Sequence, residues 1–238
     1  MFELNIQKNW IDALYARSSV RQYTSAPDKA QLDKRGETCR KLSWQGVKIR
    51  MFKGPGLKSQ IKGTDVYAVI IAKRGTPMEV EGFMGEALVL EATAMGLGTC
   101  WLGAGFYPDI INRNVDLQTD EAVHCVISIG KANLPAFAPK RKELEKVCGM
   151  NEEQLAQLGA WQKEAVLAAR LAPSAINQQP WKIAADKTSV SILETTVLYK
   201  KYAPLDRGIC MLHAAVGAAK AGRTAIWKKV DGGYAMKA

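Results

Sequence analysis

Slid along itself by one fixed offset, the sequence lays Gly82 on Gly208, Gly96 on Gly222 and Trp101 on Trp227. The stretches 82–96 and 208–222 share small and apolar residues at many matching positions, and the apolar run 65–73 falls on 191–199. Helices of similar composition can share three landmarks by coincidence. The other reading is a fused pair of similar halves, roughly 1–150 and 151–238, with the chain turning over near Gly149-Met150-Asn151. Such a chain folds about a pseudo-two-fold interface of its own, where a homodimer would have an intermolecular one. An interface of that kind is a natural place for a ligand pocket.

At 238 residues the chain can bury a real core as one large domain or two small ones. Helical spacing places Trp10, Ile11, Leu14 and Tyr15 on one face of a helix over 10–17, and a more polar helix is predicted over 28–42. Residues 20–23 read as extended. Gly and Pro punctuate 46–63, which predicts a hairpin or an irregular loop. Residues 65–73 are apolar and β-branched between Gly-Thr and Gly-Thr-Pro, the pattern of a buried strand, and 122–129 read likewise. The Ala-, Leu- and Met-rich run 81–95 predicts a helix that Gly96 or Gly98 terminates. A short helix follows near 107–113, and a basic, Pro-rich loop runs over 131–142.

The segment Ala172-Pro173-Ser174-Ala175-Ile176-Asn177-Gln178-Gln179-Pro180-Trp181 lies between a helical run, 161–171, and a short strand-like one. Pro173 stops the helix, because its ring has no N–H for the ladder. Ser174, Asn177, Gln178 and Gln179 then crowd hydroxyl and amide groups between apolar flanks. Such groups are costly to bury alone, so either local side-chain caps or a polar ligand must complete their bonding. Near the other end, Arg17-Ser18-Ser19-Val20-Arg21-Gln22-Tyr23 sets two guanidiniums around a hydroxyl pair. In an extended segment Arg17, Ser19 and Arg21 point to one side and suit a phosphate or an anionic ring edge. Two surface arginines are the plainer reading of that motif alone.

The formal net charge is +10, yet Lys and Arg are spread along the chain, with modest clusters at Lys34-Arg35, Arg40-Lys41, Lys140-Arg141-Lys142 and Lys228-Lys229. A nucleic-acid-binding domain would concentrate them on one element with aromatics interleaved. Most of the charge is therefore assigned to solvated surface, and a smaller part to steering an anionic ligand. The longest strongly apolar run, 66–72, is too short to span a bilayer, and Met1-Phe2-Glu3-Leu4-Asn5 lacks the pattern of a secretory signal. Cys39, Cys100, Cys125, Cys148 and Cys210 show no metal or redox spacing and fit free, buried thiols in a reducing cytoplasm. His124 lies in a strand pattern and His213 on a small-residue helix, positions that suit structure rather than catalysis. Neither Gly96-Leu97-Gly98 nor Gly54-Pro55-Gly56 has the strand–glycine–helix context of a dinucleotide fingerprint. The expectation is a cytoplasmic protein with no metal and no nucleic-acid or membrane partner.

Three segments together resemble the FMN-dependent nitroreductase family. Residues 17–23 look like its N-terminal Arg-x-Ser-x-Arg/Lys-x-aromatic motif. Residues 172–181 look like its Ala-Pro-Ser-Ser-x-Asn-x-Gln-Pro-Trp motif, and 86–105 are similar to its Leu-x-Ala-x-x-Leu-Gly-Leu-Gly-x-x-Trp-hydrophobic-Gly helix and turn. Ordinary members carry the Ala-Pro-Ser motif soon after the arginine motif. Here it lies in the C-terminal third, which resembles a single-chain branch where two nitroreductase-like halves mimic the family's dimer. The resemblance implies an α+β fold, a mixed or mainly antiparallel sheet flanked by helices, pseudo-two-fold within one chain. In the family, each FMN is held by the arginine motif of one subunit and the Pro-Ser-x-x-Asn motif of the other. This chain has one good copy of each, in different halves, which implies one FMN site per chain and a dead mirror-related one.

By the same resemblance, Arg17 and Ser19 meet the phosphate and ribityl end of FMN, and Arg21 its N1/C2 carbonyl edge. Ser174 and Asn177 contact the flavin from the opposite half, while Pro173 shapes the wall. Ala104 and Gly105 lie where the family presents a backbone N–H to flavin N5; Ala104 replaces the family's glutamate. Lys140 and Lys142 fall where the family places late basic residues on the phosphate. Ser18 stands for a common second Arg, and Ala175 for the second Ser. The activity implied is ping-pong hydride transfer from NADH or NADPH through FMN to a small molecule such as a nitroaromatic or quinone. The internal pseudo-dimer suits a monomer. Two rival readings are a flavin binder without turnover, for storage or sensing, and a basic nucleic-acid-binding domain.

Overall fold

Uninterrupted β-branched and aliphatic residues leave Val66–Lys73 no side that suits water, and in the computed structural model this strand is buried along nearly its whole length. The structure describes residues 2–42, 46–133 and 140–237. Its elements begin with β1 (Phe2–Glu3), α1 (Trp10–Ala16), α2 (Lys29–Leu42), β2 (Val47–Lys53), β3 (Val66–Lys73) and α3 (Met78–Ala94). There follow β4 (Gly98–Leu102), α4 (Pro108–Asn114), β5 (Glu121–Gly130), α5 (Leu144–Cys148), α6 (Glu152–Ala156) and α7 (Ala160–Arg170). The last are β6 (Trp181–Ala185), β7 (Ser189–Glu194), α8 (Ala203–Lys220), β8 (Ile226–Val230) and β9 (Gly233–Lys237). They form two compact units, residues 16–138 and residues 1–15 with 139–238.

In the unit of residues 16–138 the sheet order is β2-β3-β5-β4, with every ladder antiparallel. The stretch 46–63, expected as a hairpin or loop, supplies β2, which pairs along all of β3. Its alternation was hard to see because Lys48, Arg50 and Lys53 are interleaved with the buried Val47 and Ile49. Tyr67, Val69 and Ile71 of β3 join Cys100, Leu102, Val126 and Ile111 in one apolar cluster. Helix α3 packs against α2 and all four strands. On β5 the register shifts opposite Ile70 and Ile71, leaving His124 as the extra residue of a bulge. The bulge aims its ring at the buried Glu81, 2.8 Å from Oε1, so His124 is only half-buried where a buried position was expected.

In the other unit the order is β1-β8-β9-β7-β6, again antiparallel throughout. The two sheets share one connectivity. β2, β3, α3, β4 and β5 make the order β2-β3-β5-β4, while β6, β7, α8, β8 and β9 make β6-β7-β9-β8 with β1 added at the edge. The repeat landmarks fall on equivalent places: Gly96 and Gly222 each follow the long helix in the left-handed region, at φ 74° and 76°. Both helices end in the same paired bonds. Leu97 N–H donates to Ala92 O and Gly96 N–H to Thr93 O; Arg223 N–H donates to Ala218 O and Gly222 N–H to Ala219 O. The expected equivalence of 65–73 with 191–199 is looser, since β7 leaves the sheet after Glu194. Part of the basic loop at 131–142 lies outside the described residues. Among the described residues, no helix is long and apolar enough to cross a membrane.

A Cβ at Gly96 or Gly222 would meet nothing within 4 Å, so only backbone strain opposes a side chain there. Gly96→Ala and Gly222→Ala are each expected to destabilise the protein by about 1 kcal/mol. Urea unfolding would read this as a lower midpoint at unchanged slope. Wild-type midpoints in both variants would exclude the shared cap as a source of stability.

Candidate functional site

Helix α1 stops at Ala16, and the residues after Arg17 alternate. Ser18 and Val20 are buried, Ser19 is half-buried and Arg21 is exposed. Val20 N–H donates to Thr99 O at 2.8 Å, and Lys62 N–H donates to Arg21 O at 2.9 Å. Arg17 does not share the outward side expected for it. It stands at the helix end rather than in the extended run, and it is buried with Nε 3.9 Å from Oε1 of Glu86. Both guanidiniums act on the Cys100 thiol of β4: burial pushes its pKa up, and Arg21 and Arg17 pull it down. In the same unit the Tyr23 hydroxyl shares a 2.8 Å hydrogen bond with Ser128 Oγ, and burial raises its pKa.

Ala104 and Gly105 form the turn after β4, the first exposed and the second buried. Lys58 N–H donates to Gly105 O at 2.9 Å, so one segment, 57–62, binds both this turn and the Arg21 backbone. A Cβ at Gly105 would stand 2.7 Å from Gln60 Nε2 and 2.9 Å from Leu102 Cδ2, so a side chain there would have to displace the ends of both. Among the described residues no acceptor is bonded to the N–H of Ala104 or of Gly105.

Pro173, Ser174, Asn177, Lys140 and Lys142 gather in the other unit. Ser174 Oγ accepts from Gln179 N–H at 2.7 Å, and Ala175 N–H donates to the Asp206 carboxylate at 3.0 and 3.2 Å. Asn177 Oδ1 accepts from Arg141 Nη1 at 2.8 Å, while its Nδ2 donates to Lys140 O at 3.0 Å. Arg141 Nε donates to Leu171 O at 3.1 Å. Lys142 N–H donates to Gln179 Oε1 at 2.9 Å, and its Nζ to Gln178 O at 2.7 Å. Lys140 is exposed, with Nζ 3.2 Å from Glu143. The amides that looked in need of a ligand thus find partners inside the chain, so their burial alone does not argue for one.

What distinguishes this segment is its backbone. Ile176, Asn177 and Gln179 have φ of 48°, 56° and 50°, the non-glycine residues with positive φ among those described. Such a conformation costs about 1–2 kcal/mol per residue and persists only where the surroundings over-determine it. The Arg141 guanidinium, the Lys142 ammonium and the Asp206 carboxylate supply that constraint.

A protein-family model described as "Putative TM nitroreductase" matches residues 9–218. The chain belongs to the nitroreductase family. Among solved structures, one described as a "putative nitroreductase" of Thermotoga maritima aligns with a TM-score of 0.71 and 24% identity, over 99% of this chain and 96% of that one. At that identity the likeness is one of fold. An FMN-dependent nitroreductase of Clostridium difficile aligns over 55% of this chain and 91% of its own, at 21% identity and a TM-score of 0.44. A nitroreductase with bound FMN from Desulfitobacterium hafniense covers 61% of this chain and 100% of its own, at 14% identity and a TM-score of 0.48. No curated protein matches the sequence.

Within this nitroreductase-family chain, sequence reasoning passed over Arg141 and Asp206. Arg141 sits between two lysines that drew attention for their charge, whereas its planar fork is what suits an amide oxygen and a carbonyl together. Asp206 was visible as an acid in the first turn of an otherwise apolar helix. Burial lifts its carboxyl to about 7, while the Ala175 N–H and the Arg207 guanidinium pull it down. An unfolded aspartate titrates near 3.9, so the native state holds this proton more tightly. Stability from that group is present below about pH 4 and is lost as the pH rises through about 7. Asp206→Asn keeps an oxygen for Ala175 N–H and does not titrate. Wild type is expected to lose on the order of 4 kcal/mol relative to this variant across that window, read from urea midpoints at each pH. Parallel profiles would mean that Asp206 titrates normally.

Proposed function

We propose that this chain is an FMN-dependent oxidoreductase that draws on NADH or NADPH and reduces a nitroaromatic or quinone-like acceptor. The observation that carries the reading is the turn at Ala104 and Gly105. Its two N–H groups have no acceptor among the described residues, and Ala104 is exposed, so the turn has backbone donors to offer a planar ligand. The turn shares segment 57–62 with Arg21, an exposed cation of the motif that resembles the family's flavin-binding arginines. The strained turn at 176–179, in the motif that resembles the family's second flavin-binding segment, adds support, since such strain concentrates at functional sites.

Bound FMN supplies hydride acceptance and donation, chemistry that no side chain of this protein offers. Arg17 and Ser19 hold its phosphate and ribityl end. Arg21 places a positive charge at the N1/C2 edge, where negative charge accumulates on reduction, a fixed electrostatic contribution that needs no reorganisation. The Ala104–Gly105 backbone donates towards N5. Ser174 keeps its own hydroxyl proton to donate, since Oγ serves as acceptor for Gln179, and Asn177 keeps one amide N–H. Pro173 walls the site, and Lys140 and Lys142 add positive charge for the phosphate. One copy of each motif gives one FMN per chain, which suits a cytoplasmic monomer. Among the described residues the five cysteines are buried and outside any disulfide, which agrees with a reducing compartment.

A visible spectrum tests the reading. Protein supplied with FMN is expected to retain one equivalent, to bleach with NADH or NADPH, and to regain its colour on adding a nitroaromatic or quinone. Arg21→Ala is expected to weaken FMN binding roughly tenfold or more. A colourless protein that rejects FMN would sink the proposal, and bleaching that no acceptor reverses would leave a flavin binder in its place.

A further inference from the structure

Glu86 is fully buried in the middle of α3, where an apolar residue would be the default. Its Oε2 accepts a 2.7 Å hydrogen bond from Trp101 Nε1 on β4, and its Oε1 lies 3.9 Å from Arg17 Nε. The helix is shaped for this contact. A Cβ at Gly85 would come 2.3 Å from the Trp101 ring, so the glycine lets the indole lie against α3 beside the carboxylate.

Satisfying the tryptophan does not explain the carboxylate. The offset that lays Trp101 on Trp227 lays Glu86 on Leu212. Trp227 is fully buried with its Nε1 unpartnered, and Leu212 is buried too, so the equivalent place in the repeated connectivity works without an acid. What the Glu86 half has in addition is Arg17, from the Arg-x-Ser-x-Arg segment. Arg17 Nε is buried and makes no hydrogen bond, and such a donor is costly unless a group of opposite charge stands by. At 3.9 Å the carboxylate attracts the guanidinium without closing on it. A guanidinium held along its Nε edge keeps its two Nη groups as a planar fork, the shape that takes two oxygens of one phosphate.

We infer that Glu86 is a positioning residue that orients Arg17 for the phosphate of the flavin nucleotide, with Trp101 holding the carboxylate in place. This rests on the flavin reading above. It predicts an effect confined to the phosphate, so the test compares FMN with riboflavin, which has the ring and ribityl chain but no phosphate. Glu86→Leu copies the residue at the matching place in the other half. It is expected to weaken FMN roughly ten- to a hundred-fold and to leave riboflavin affinity unchanged, by fluorescence titration. Glu86→Gln keeps an acceptor for Trp101 but removes the charge beside Arg17, and is expected to lose most of the preference for FMN. Glu86→Asp withdraws the charge from Arg17 by one methylene and is expected to lose part of it, which gives a second measure should the leucine variant not fold. An FMN-to-riboflavin ratio that stays at the wild-type value in the leucine and aspartate variants overturns the inference, as does equal loss of both flavins. Wild-type protein that binds neither flavin overturns the flavin reading, and this inference with it.

Discussion

Helix α3 is buried on nearly every side, and a helix of that kind must be covered all round. Much of the unit of residues 16–138 follows from meeting that demand. Four strands and α2 pack on α3, and the two acids it buries completely have partners of their own. Glu81 has the bulged His124, and Glu86 has Trp101 and Arg17. The left-handed Gly96 then turns the chain straight into β4. β4 in turn supplies Thr99 for the arginine segment, Cys100 between the fields of two guanidiniums, and the turn at Ala104 and Gly105. The candidate site in this unit is therefore a consequence of how one helix is buried and how it ends.

The other unit solves a different problem. Its segment after α7 must turn twice in a few residues without glycine, so Ile176, Asn177 and Gln179 take up left-handed backbone. Asn tolerates that region through local hydrogen bonding, but Ile does not. The cost is met by the Arg141 guanidinium and the Lys142 ammonium before the turn and the Asp206 carboxyl beyond it. Ile176 is left 80% exposed at the tip, which a turn built for packing alone would not leave there.

The long apolar elements were legible because their patterns have a single cause. β3 is buried on both faces, as β5 is from Cys125 onward, and both read as apolar runs, while α3 combines helix formers with a terminal glycine. β2 was missed because its solvent-facing lysines and arginine hide an alternation that only pairing with β3 completes. The family motifs were legible at the level of residue type, and the family match over residues 9–218 agrees with them. What was not legible is which polar groups would find partners within the chain. Asn177 looked open until Arg141 was seen on its Oδ1, and Arg17 looked exposed until Glu86 was seen beside it. Those are long-range pairings, and no local spacing encodes them.

The repeat sharpens the meaning of such differences. Two stretches with the same connectivity and the same helix cap face the same folding constraints, so features they share speak for the fold. Gly96 and Gly222 belong to that class, and so do the two long buried helices. Features present in one copy alone need another reason. Glu86 stands where the other copy has Leu212; it spends burial free energy that the fold does not require of that position. Asp206 offers the same contrast in reverse, since its counterpart under the offset is Val80. Each acid stands against a motif found once in the chain, Glu86 beside the arginine segment and Asp206 beneath the Pro-Ser turn. At these two places the stretches differ where a motif stands in one of them alone.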